Sequence, residues 1–424
     1  MVVKHILDRG VTVLIDEMKD VRSFSLGFFV QAGSQNEPAS RRGISHFLEH
    51  VLFKRTRRRS NVEIARAIDL LGGDVDAFTT KEYTGFYVHT LDARFGDALD
   101  LMGDIVLSPA FVSADVENER GVILEEIGEA NDNPEDLVHE MFVRAFWKGH
   151  PLAAPILGTA QTVRAVSRED LYRYHRSRYA AGHLIVSAAG RLRAGEVLAG
   201  IERIFRRHGG RGARRRPRGE RRPAAHQHVQ VQSRPSLEQA HLCMGFSAPP
   251  LASGRRFAAQ LLDIVLGGGM SSRLFQEVRE RRGLVYSIGS SLHSYRLGGY
   301  ETISAACAPR NLPRVLDVTL RELRRLKRGG VRPRELRWAK ENLKGGLLLA
   351  LESTISRMAA AARQELYFGK TAAPEEWIAR IEAVTEDQLG EEAECLLDGR
   401  ALSLSVVGNV ARPPVSASDL AAAL

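Results

Sequence analysis

The N-terminal half of the chain alternates between short strand-like runs and longer helical patterns. Apolar residues at every second position predict strands, whereas apolar residues spaced three and four apart predict amphipathic helices. The predicted strands are 12–16, 23–30, 83–90 and 184–189, and the predicted helices are 62–71, 94–107, 114–130 and 169–174. Because paired strands are followed by paired helices rather than by strict βαβ alternation, the pattern predicts an α+β fold with mostly antiparallel sheets.

Short matching segments recur at a constant separation of 218 residues, which predicts two copies of one module. The matching segments are 26–28 with 244–246, 165–167 with 383–385, and 184–190 with 402–408. Three matches at one offset predict homologous domains at residues 1–205 and 223–424. Each domain is expected to be an α/β sandwich, with a mostly antiparallel sheet packed against helices.

The charge of the chain is concentrated in one segment at its midpoint. Apolar residues make up 44% of the 424 positions and charged residues 26%, which is ordinary for a globular protein. Residues 206–222 hold nine arginines and one acid, and the rest of the chain carries 51 basic and 50 acidic residues. This Gly- and Pro-rich segment is predicted to be a solvated linker. A nucleic-acid-binding arm is the alternative, but no aromatic residues alternate with the arginines, so no nucleic-acid partner is expected.

The sequence also indicates where the protein works. No apolar run approaches the roughly 18 residues of a transmembrane helix, and the N-terminus resembles neither a secretory signal nor a transit peptide. The three cysteines, Cys243, Cys307 and Cys395, are far apart, which excludes a disulfide scaffold and fits a reducing compartment. We therefore expect a cytoplasmic protein without a membrane partner.

The most informative motif is His46-Phe47-Leu48-Glu49-His50. On a helix, His46 and His50 project from one face one turn apart, so they can bind one metal ion. Glu49 lies beside the same site, where its carboxylate can accept a proton from water without being a ligand. This H-x-x-E-H order is the inverzincin signature. Two surface histidines on an amphipathic helix are the alternative interpretation.

A third metal ligand has to come from elsewhere in the fold, because a catalytic zinc site normally has three protein ligands and one open position. The predicted helix 114–130 is the best donor. Its residues Glu119 and Glu126 lie seven positions apart, two turns along one stripe, close to Val122 and Ile123. Acidic side chains on a partly apolar stripe are costly to bury unless they bind a cation or a strong donor.

The segments GISHFLEHVLFKRT (43–56) and ENERGVILEEI (117–127) resemble the pitrilysin or insulinase family of zinc metallopeptidases. The resemblance is strongest to its short two-domain branch, which includes the mitochondrial processing peptidases and their bacterial relatives. In that family a glutamate ligand follows the second histidine by about 76 residues, and this position is Glu126 here. The glutamate that supports catalysis falls on Glu119. The resemblance thus implies a Zn²⁺ site held by the two histidines of the motif and Glu126.

The resemblance extends to residues 71–87, LGGDVDAFTTKEYTGFY, where relatives carry the edge strand that pairs with the substrate. It implies that Asp76, Ala77 and Phe78 bind the peptide. The family usually has asparagine at the position of Asp76.

The second module carries a different signature. At the 218-residue offset, the three metal-binding positions become Ile264, Gly268 and Lys344, so no second zinc site is expected. Arg279 and Tyr286 match an arginine and a tyrosine that the C-terminal half supplies to the active site in this family. A guanidinium can hold a substrate carbonyl, and a tyrosine hydroxyl can stabilise an oxyanion. A surface arginine and a core tyrosine are the alternative interpretation.

Together these inferences predict a zinc-dependent endopeptidase that acts on short or unfolded polypeptides. The alternative is a non-catalytic or core subunit of a heterodimeric processing peptidase, since the family includes partners that have lost the zinc motif. The resemblance also implies a clamshell around a cavity, of which this chain forms one half. Both signatures in one chain favour a homodimer, and a heterodimer stays open.

Overall fold

The computed structural model describes residues 2–208 and 221–424. The described residues divide into two compact units. The first contains residues 2–128, 154–208 and 349–373, and the second contains residues 129–153, 221–348 and 374–424. Of the predicted linker 206–222, residues 209–220 lie outside the described residues, whereas residues 206–208 end a helix.

The first unit is built on a six-stranded sheet in the order β1-β2-β6-β3-β5-β4. Its strands are β1 (Val3–Ile6), β2 (Thr12–Glu17), β3 (Ser23–Val30), β4 (Asp74–Thr79), β5 (Thr84–Leu91) and β6 (Leu184–Gly190). Only β2 and β6 pair in parallel, and the other neighbours in this sheet are antiparallel. Strand β4 lies at one edge of the sheet, with β5 as its neighbour.

Helices cover both faces of this sheet. They are α1 (Ile44–Leu52), α2 (Asn61–Leu71), α3 (Phe95–Leu107), α4 (Ser113–Asp132, which belongs to this unit up to Gly128), α6 (Ala160–Ala165), α7 (Arg168–Arg178), α8 (Ala194–His208) and α12 (Thr354–Phe368). Strand β3 has apolar side chains on both faces of the sheet, so both faces have to be buried. Phe24, Leu26 and Phe28 alternate into the larger core, whereas Phe29 joins a smaller core on the opposite face.

Helix α12 completes the smaller core although it comes from the C-terminal half of the sequence. The Ser187 hydroxyl in β6 donates to the Met358 carbonyl oxygen at 2.8 Å. Arg357 donates to both carboxylate oxygens of Asp16 in β2, at 2.6 and 2.9 Å. The compact unit therefore includes a segment that lies beyond the predicted domain boundary at residue 205.

The second unit repeats the topology with a five-stranded sheet in the order β7-β11-β8-β10-β9. Its strands are β7 (Val229–Ser233), β8 (Ala240–Ala248), β9 (Ile288–Ser294), β10 (Gly299–Cys307) and β11 (Ser403–Gly408). Its helices are α5 (Pro134–Phe146), α9 (Arg256–Leu266), α10 (Leu312–Gly329), α11 (Pro333–Ala350, up to Leu348), α13 (Pro374–Glu382), α14 (Glu386–Leu396) and α15 (Ala417–Ala422). Again one pair, β7 with β11, is parallel.

Helix α5 in this unit comes from the N-terminal half of the sequence. Its residues Val138, Phe142 and Phe146 are buried with Cys243 and Tyr300 on one face of the sheet. The two units therefore have the predicted α+β sandwich fold, a mostly antiparallel sheet packed with helices in each. No helix among the described residues is long and apolar enough to cross a membrane.

Candidate metal centre

Helix α1 carries the H-x-x-E-H motif on its more accessible face. Phe47, Leu48 and Val51 are buried in the core of the first unit, and the motif side chains project from the other side of the helix. This amphipathic division fixes the rotation of the helix, because turning it would expose the apolar stripe.

The start of α1 is fixed by a buried carboxylate and a glycine. The Glu37 carboxylate accepts hydrogen bonds from the backbone N–H groups of Gly43 and Ser45, both at 2.8 Å. Burial raises the pKa of Glu37 to about 7, although both N–H donors act in the opposite direction. Gly43 has φ of 90°, and a Cβ there would lie 2.5 Å from the Leu157 carbonyl oxygen. Glu37 was not predicted from the sequence, because a lone acid seven residues before the first residue of the helix belongs to no motif.

The structure brings His46, His50 and Glu126 together. One possible ligand atom from each lies within 4.8 Å of the others, and this is the one such group of three found among the described residues. The His46 Nε2 atom lies 3.8 Å from Glu126 Oε2, and the His50 Nε2 atom lies 3.5 Å from Glu126 Oε1. Glu126 reaches this place from α4, the helix predicted to supply the third ligand.

The polar atoms of this group fit a metal ion. Glu126 Oε2 is buried and has no hydrogen-bond partner in the described structure. Burial and the neighbouring His50 lower the pKa of His46 to about 4, so its imidazole is neutral at physiological pH. Metal binding requires neutral imidazole, and two histidine nitrogens with one carboxylate form the donor set of many catalytic zinc sites. These residues therefore fit Zn²⁺.

Glu119 lies behind His50 rather than in the group of three. Its Oε2 atom is 3.2 Å from His50 Nδ1, and its Oε1 atom is 2.9 Å from the Lys54 ammonium. A carboxylate on the remote nitrogen of a metal-binding histidine fixes the ring orientation and the tautomer. Lys54 was not singled out from the sequence. Its position four residues after His50 was the available signal, although Lys54 lies in the turn that follows α1 rather than in the helix.

Glu49 lies next to this group of three but is turned towards strand β4. Its Oε2 atom accepts a hydrogen bond from the Thr79 hydroxyl at 2.5 Å. Burial raises the pKa of Glu49, and the Thr79 hydrogen bond partly offsets that effect. Thr79 was also missed in the sequence analysis, although it directly follows the predicted substrate-binding residues.

Asp76, Ala77 and Phe78 lie in β4, the edge strand of the sheet. Asp76 is exposed, and its carboxylate accepts hydrogen bonds from its neighbour's backbone N–H at 2.8 Å and from the Tyr87 hydroxyl at 3.3 Å. One side of β4 pairs with β5. An edge strand offers unpaired backbone groups on its other side, which is the arrangement that accepts an added peptide strand.

Arg279 and Tyr286 lie in the second unit and contact each other. Arg279 is in a π-helical segment, Phe275–Glu280, and its guanidinium carbon lies 5.5 Å from the centre of the Tyr286 ring. Tyr286 is 80% exposed, so it is not a core residue. Of the positions equivalent to the metal ligands, Ile264 is buried and Lys344 pairs with acidic side chains.

Two family models match successive parts of the chain. Residues 12–160 match the family described as insulinase (peptidase family M16), and residues 165–343 match the peptidase M16 inactive domain. A Mycobacterium bovis protein named an uncharacterized zinc protease is 39% identical over 93% of this chain and 90% of its own length. The zinc protease YmxG of Bacillus subtilis, also named uncharacterized, is 35% identical over 97% of this chain and its whole length.

A solved structure shares the fold at lower sequence identity. The peptidase M16 inactive-domain protein from Pseudomonas fluorescens superimposes with a TM-score of 0.89 at 21% identity. The match covers 97% of this chain and 99% of that one.

Proposed function

Because the chain belongs to the insulinase (M16) family of peptidases, we propose that it is a zinc-dependent endopeptidase acting on short or unfolded polypeptides. The observation that carries this proposal is the group formed by His46, His50 and Glu126 with Glu49 beside it. Its relatives named zinc proteases support the choice of metal.

Zinc in this site supplies Lewis-acid chemistry, which makes a water molecule acidic enough to lose a proton near neutral pH. Glu49 accepts that proton as general base and passes it to the leaving amine as the peptide bond breaks. Glu119 holds His50 in the orientation that keeps its Nε2 atom directed at Glu126. Lys54 neutralises Glu119 and fixes its position.

Strand β4 is proposed to bind the substrate through its free edge. A peptide that pairs there with Asp76, Ala77 and Phe78 forms mainly backbone hydrogen bonds, so the side-chain sequence of the substrate matters little. Pairing needs an extended chain, which favours short or unfolded polypeptides over folded ones.

Arg279 and Tyr286 are proposed to act on the substrate carbonyl and on the oxyanion formed by water attack. The family resemblance supports these roles, and so does the exposure of Tyr286, which a core role does not explain. We further propose that the chain acts as a homodimer, because one chain carries both the zinc motif and this pair. The heterodimeric subunit alternative has weaker support, since the metal-binding group is complete.

Digestion of a diverse peptide library, analysed by mass spectrometry with and without a chelator, tests this function. We expect cleavage that stops when the chelator is added and returns when zinc is restored. The same digest on the Glu49→Gln variant controls for a contaminating protease. Cleavage that persists in the chelator, or equally in that variant, contradicts the proposal.

A further inference from the structure

The hydrogen bond between Thr79 and Glu49 has no part in the function described so far. The Thr79 hydroxyl donates to Glu49 Oε2 at 2.5 Å, a short distance typical of a hydroxyl bonded to a carboxylate. Within the described part of the chain, this is the one hydrogen bond formed by the Glu49 side chain. We propose that Thr79 is a positioning residue that holds the Glu49 carboxylate ready for proton transfer, an inference that rests on the proposed function.

The pleat of β4 explains why Thr79 reaches Glu49. Side chains alternate between the two faces of a strand. Val75 and Ala77 pack against the core that contains the buried face of α1, and Thr79 lies on the same face two residues later. Phe78 faces the other way and packs in the smaller core that α12 covers.

The backbone on either side of Thr79 is held firmly. Thr79 forms the last pair of the β4–β5 ladder, opposite Thr84. Directly after it, the Thr80 backbone N–H donates to the Tyr83 carbonyl oxygen at 2.9 Å and closes the hairpin turn. The Thr80 hydroxyl donates to the same oxygen at 2.8 Å. The Thr79 hydroxyl therefore projects from hydrogen-bonded backbone at the end of a strand rather than from an irregular loop.

This hydrogen bond restrains a side chain that would otherwise be free to rotate. Glutamate has three rotatable side-chain bonds, and a general base has to stay within hydrogen-bond reach of the proton that it accepts. Thr79 occupies Oε2 and leaves Oε1 of Glu49 available for the proton. The strand that is proposed to bind the peptide therefore also orients the base. Strand β4 thus fixes the position of the Glu49 carboxylate relative to the bound peptide.

Two substitutions at Thr79 test this proposal. The activity of each variant is measured with a fluorogenic peptide substrate chosen from the library digest. Thr79→Val keeps the branched shape but removes the donor, and it is expected to lower kcat by about tenfold to a hundredfold, the usual effect of losing a hydrogen bond to a charged group. KM, zinc content and the thermal midpoint are expected to stay close to those of the parent. Thr79→Ser keeps the hydroxyl and is expected to restore kcat to within about threefold.

Several results would overturn the proposal. One is a Thr79→Val variant whose kcat is within about twofold of the parent. Another is a serine variant as slow as the valine variant. A third is a parallel loss of kcat, zinc and thermal stability, which would make Thr79 a structural residue of β4.

A second measurement is independent of catalysis. Urea unfolding of the zinc-free parent, Thr79→Val, Glu49→Ala and the double variant forms a double-mutant cycle, because alanine removes the acceptor that a glutamine amide would retain. If the hydrogen bond exists, the shift of the urea midpoint in the double variant differs from the sum of the single shifts. Additive shifts reject the proposal. This cycle also separates the two hypotheses, because it reports on Thr79 and Glu49 even if the protein shows no zinc-dependent peptidase activity.

Discussion

At the residue scale, the site combines three groups that fit a metal ion with a carboxylate that lies outside that group. Histidine nitrogens and a carboxylate converge from α1 and α4, whereas Glu49 on the same helix is held by Thr79. Separating ligands from base is what hydrolysis requires, since a carboxylate bound to the metal has less capacity to accept a proton. The two kinds of carboxylate therefore give different results when each is replaced by its amide.

Glu49→Gln is expected to keep zinc and lose hydrolysis. The amide cannot accept a proton, while His46, His50 and Glu126 all remain, so turnover falls by at least about 10², the lower range for general-base catalysis. Zinc content by metal analysis, measured beside turnover, checks this. Full zinc occupancy together with substantial activity would remove Glu49 from the general-base role.

Glu126→Gln is expected to weaken zinc binding itself. Loss of a direct ligand should lower affinity by more than the roughly 10–100-fold that loss of an outer-shell partner causes. Glu125→Gln is the matched control, because Glu125 is the adjacent acid on α4 but is exposed. Competition with a chromophoric chelator measures both variants. Equal zinc affinity in Glu126→Gln and the parent would mean that another residue is the third ligand.

At the scale of the element, sequence periodicity predicted what each segment forms better than what it packs against. Strand β3 was predicted with its observed bounds, and β2, β5 and β6 within one residue. Strand β4 was not predicted as a strand from its pattern, because Asp74 and Asp76 face solvent at an edge. Helices α5 and α12 each complete a sheet from the other half of the chain, and periodicity carries no information on such a partner.

The same limit applies to the site. The spacing of His46, Glu49 and His50 within one helix is a local property, so the sequence contains it. The contacts of Thr79 and Glu37 depend on a hairpin and a loop that meet α1 only after folding. Glu126 lies between these cases. Its position on a partly apolar stripe of the helix indicated burial. Its assignment as the third ligand, in preference to other acids on that helix, depended on the family resemblance.

The Glu37 carboxyl group at the N-terminus of helix α1 predicts that the stability of the protein depends on pH. Burial raises the pKa of Glu37 to about 7 in the folded protein, from an ordinary value of 4.5 for an exposed glutamate. A raised folded-state pKa means that the folded protein binds the proton more tightly. Its contribution to stability is therefore complete below about pH 4.5 and is lost as pH rises through 7.

The expected result is a fall in the free energy of unfolding of roughly 2 kcal/mol between pH 5 and 8 that is attributable to Glu37. Urea unfolding of the zinc-free protein and of Glu37→Gln across this range measures it, because the variant cannot titrate at this position. Arg42 and Ser45 face the same carboxyl, and both remain in the variant. Parallel pH profiles for parent and variant would show that Glu37 is ionised throughout.

At the scale of the whole molecule, the segment that carries most of the net charge is expected to be separate from the residues that form the fold. Among the described residues, each of the two units is stabilised by a buried core packed on its own sheet. The formal net charge of +9 depends mainly on residues 206–222, since the remaining chain is almost neutral. From its composition alone, a charged segment rich in glycine and proline is expected to influence non-specific binding rather than the fold or the reaction.

Replacing residues 209–220 with a Gly/Ser sequence of equal length tests this separation. The change removes five arginines and one acid but no residue of α8 or β7, so we expect kcat/KM for a library peptide and the thermal midpoint to stay unchanged. Binding to duplex DNA, measured by fluorescence anisotropy at increasing salt, is the second readout. A specific nucleic-acid arm would give tight, salt-dependent binding in the parent that the replacement abolishes. Such a result would contradict the linker prediction while leaving the zinc site and its chemistry as proposed.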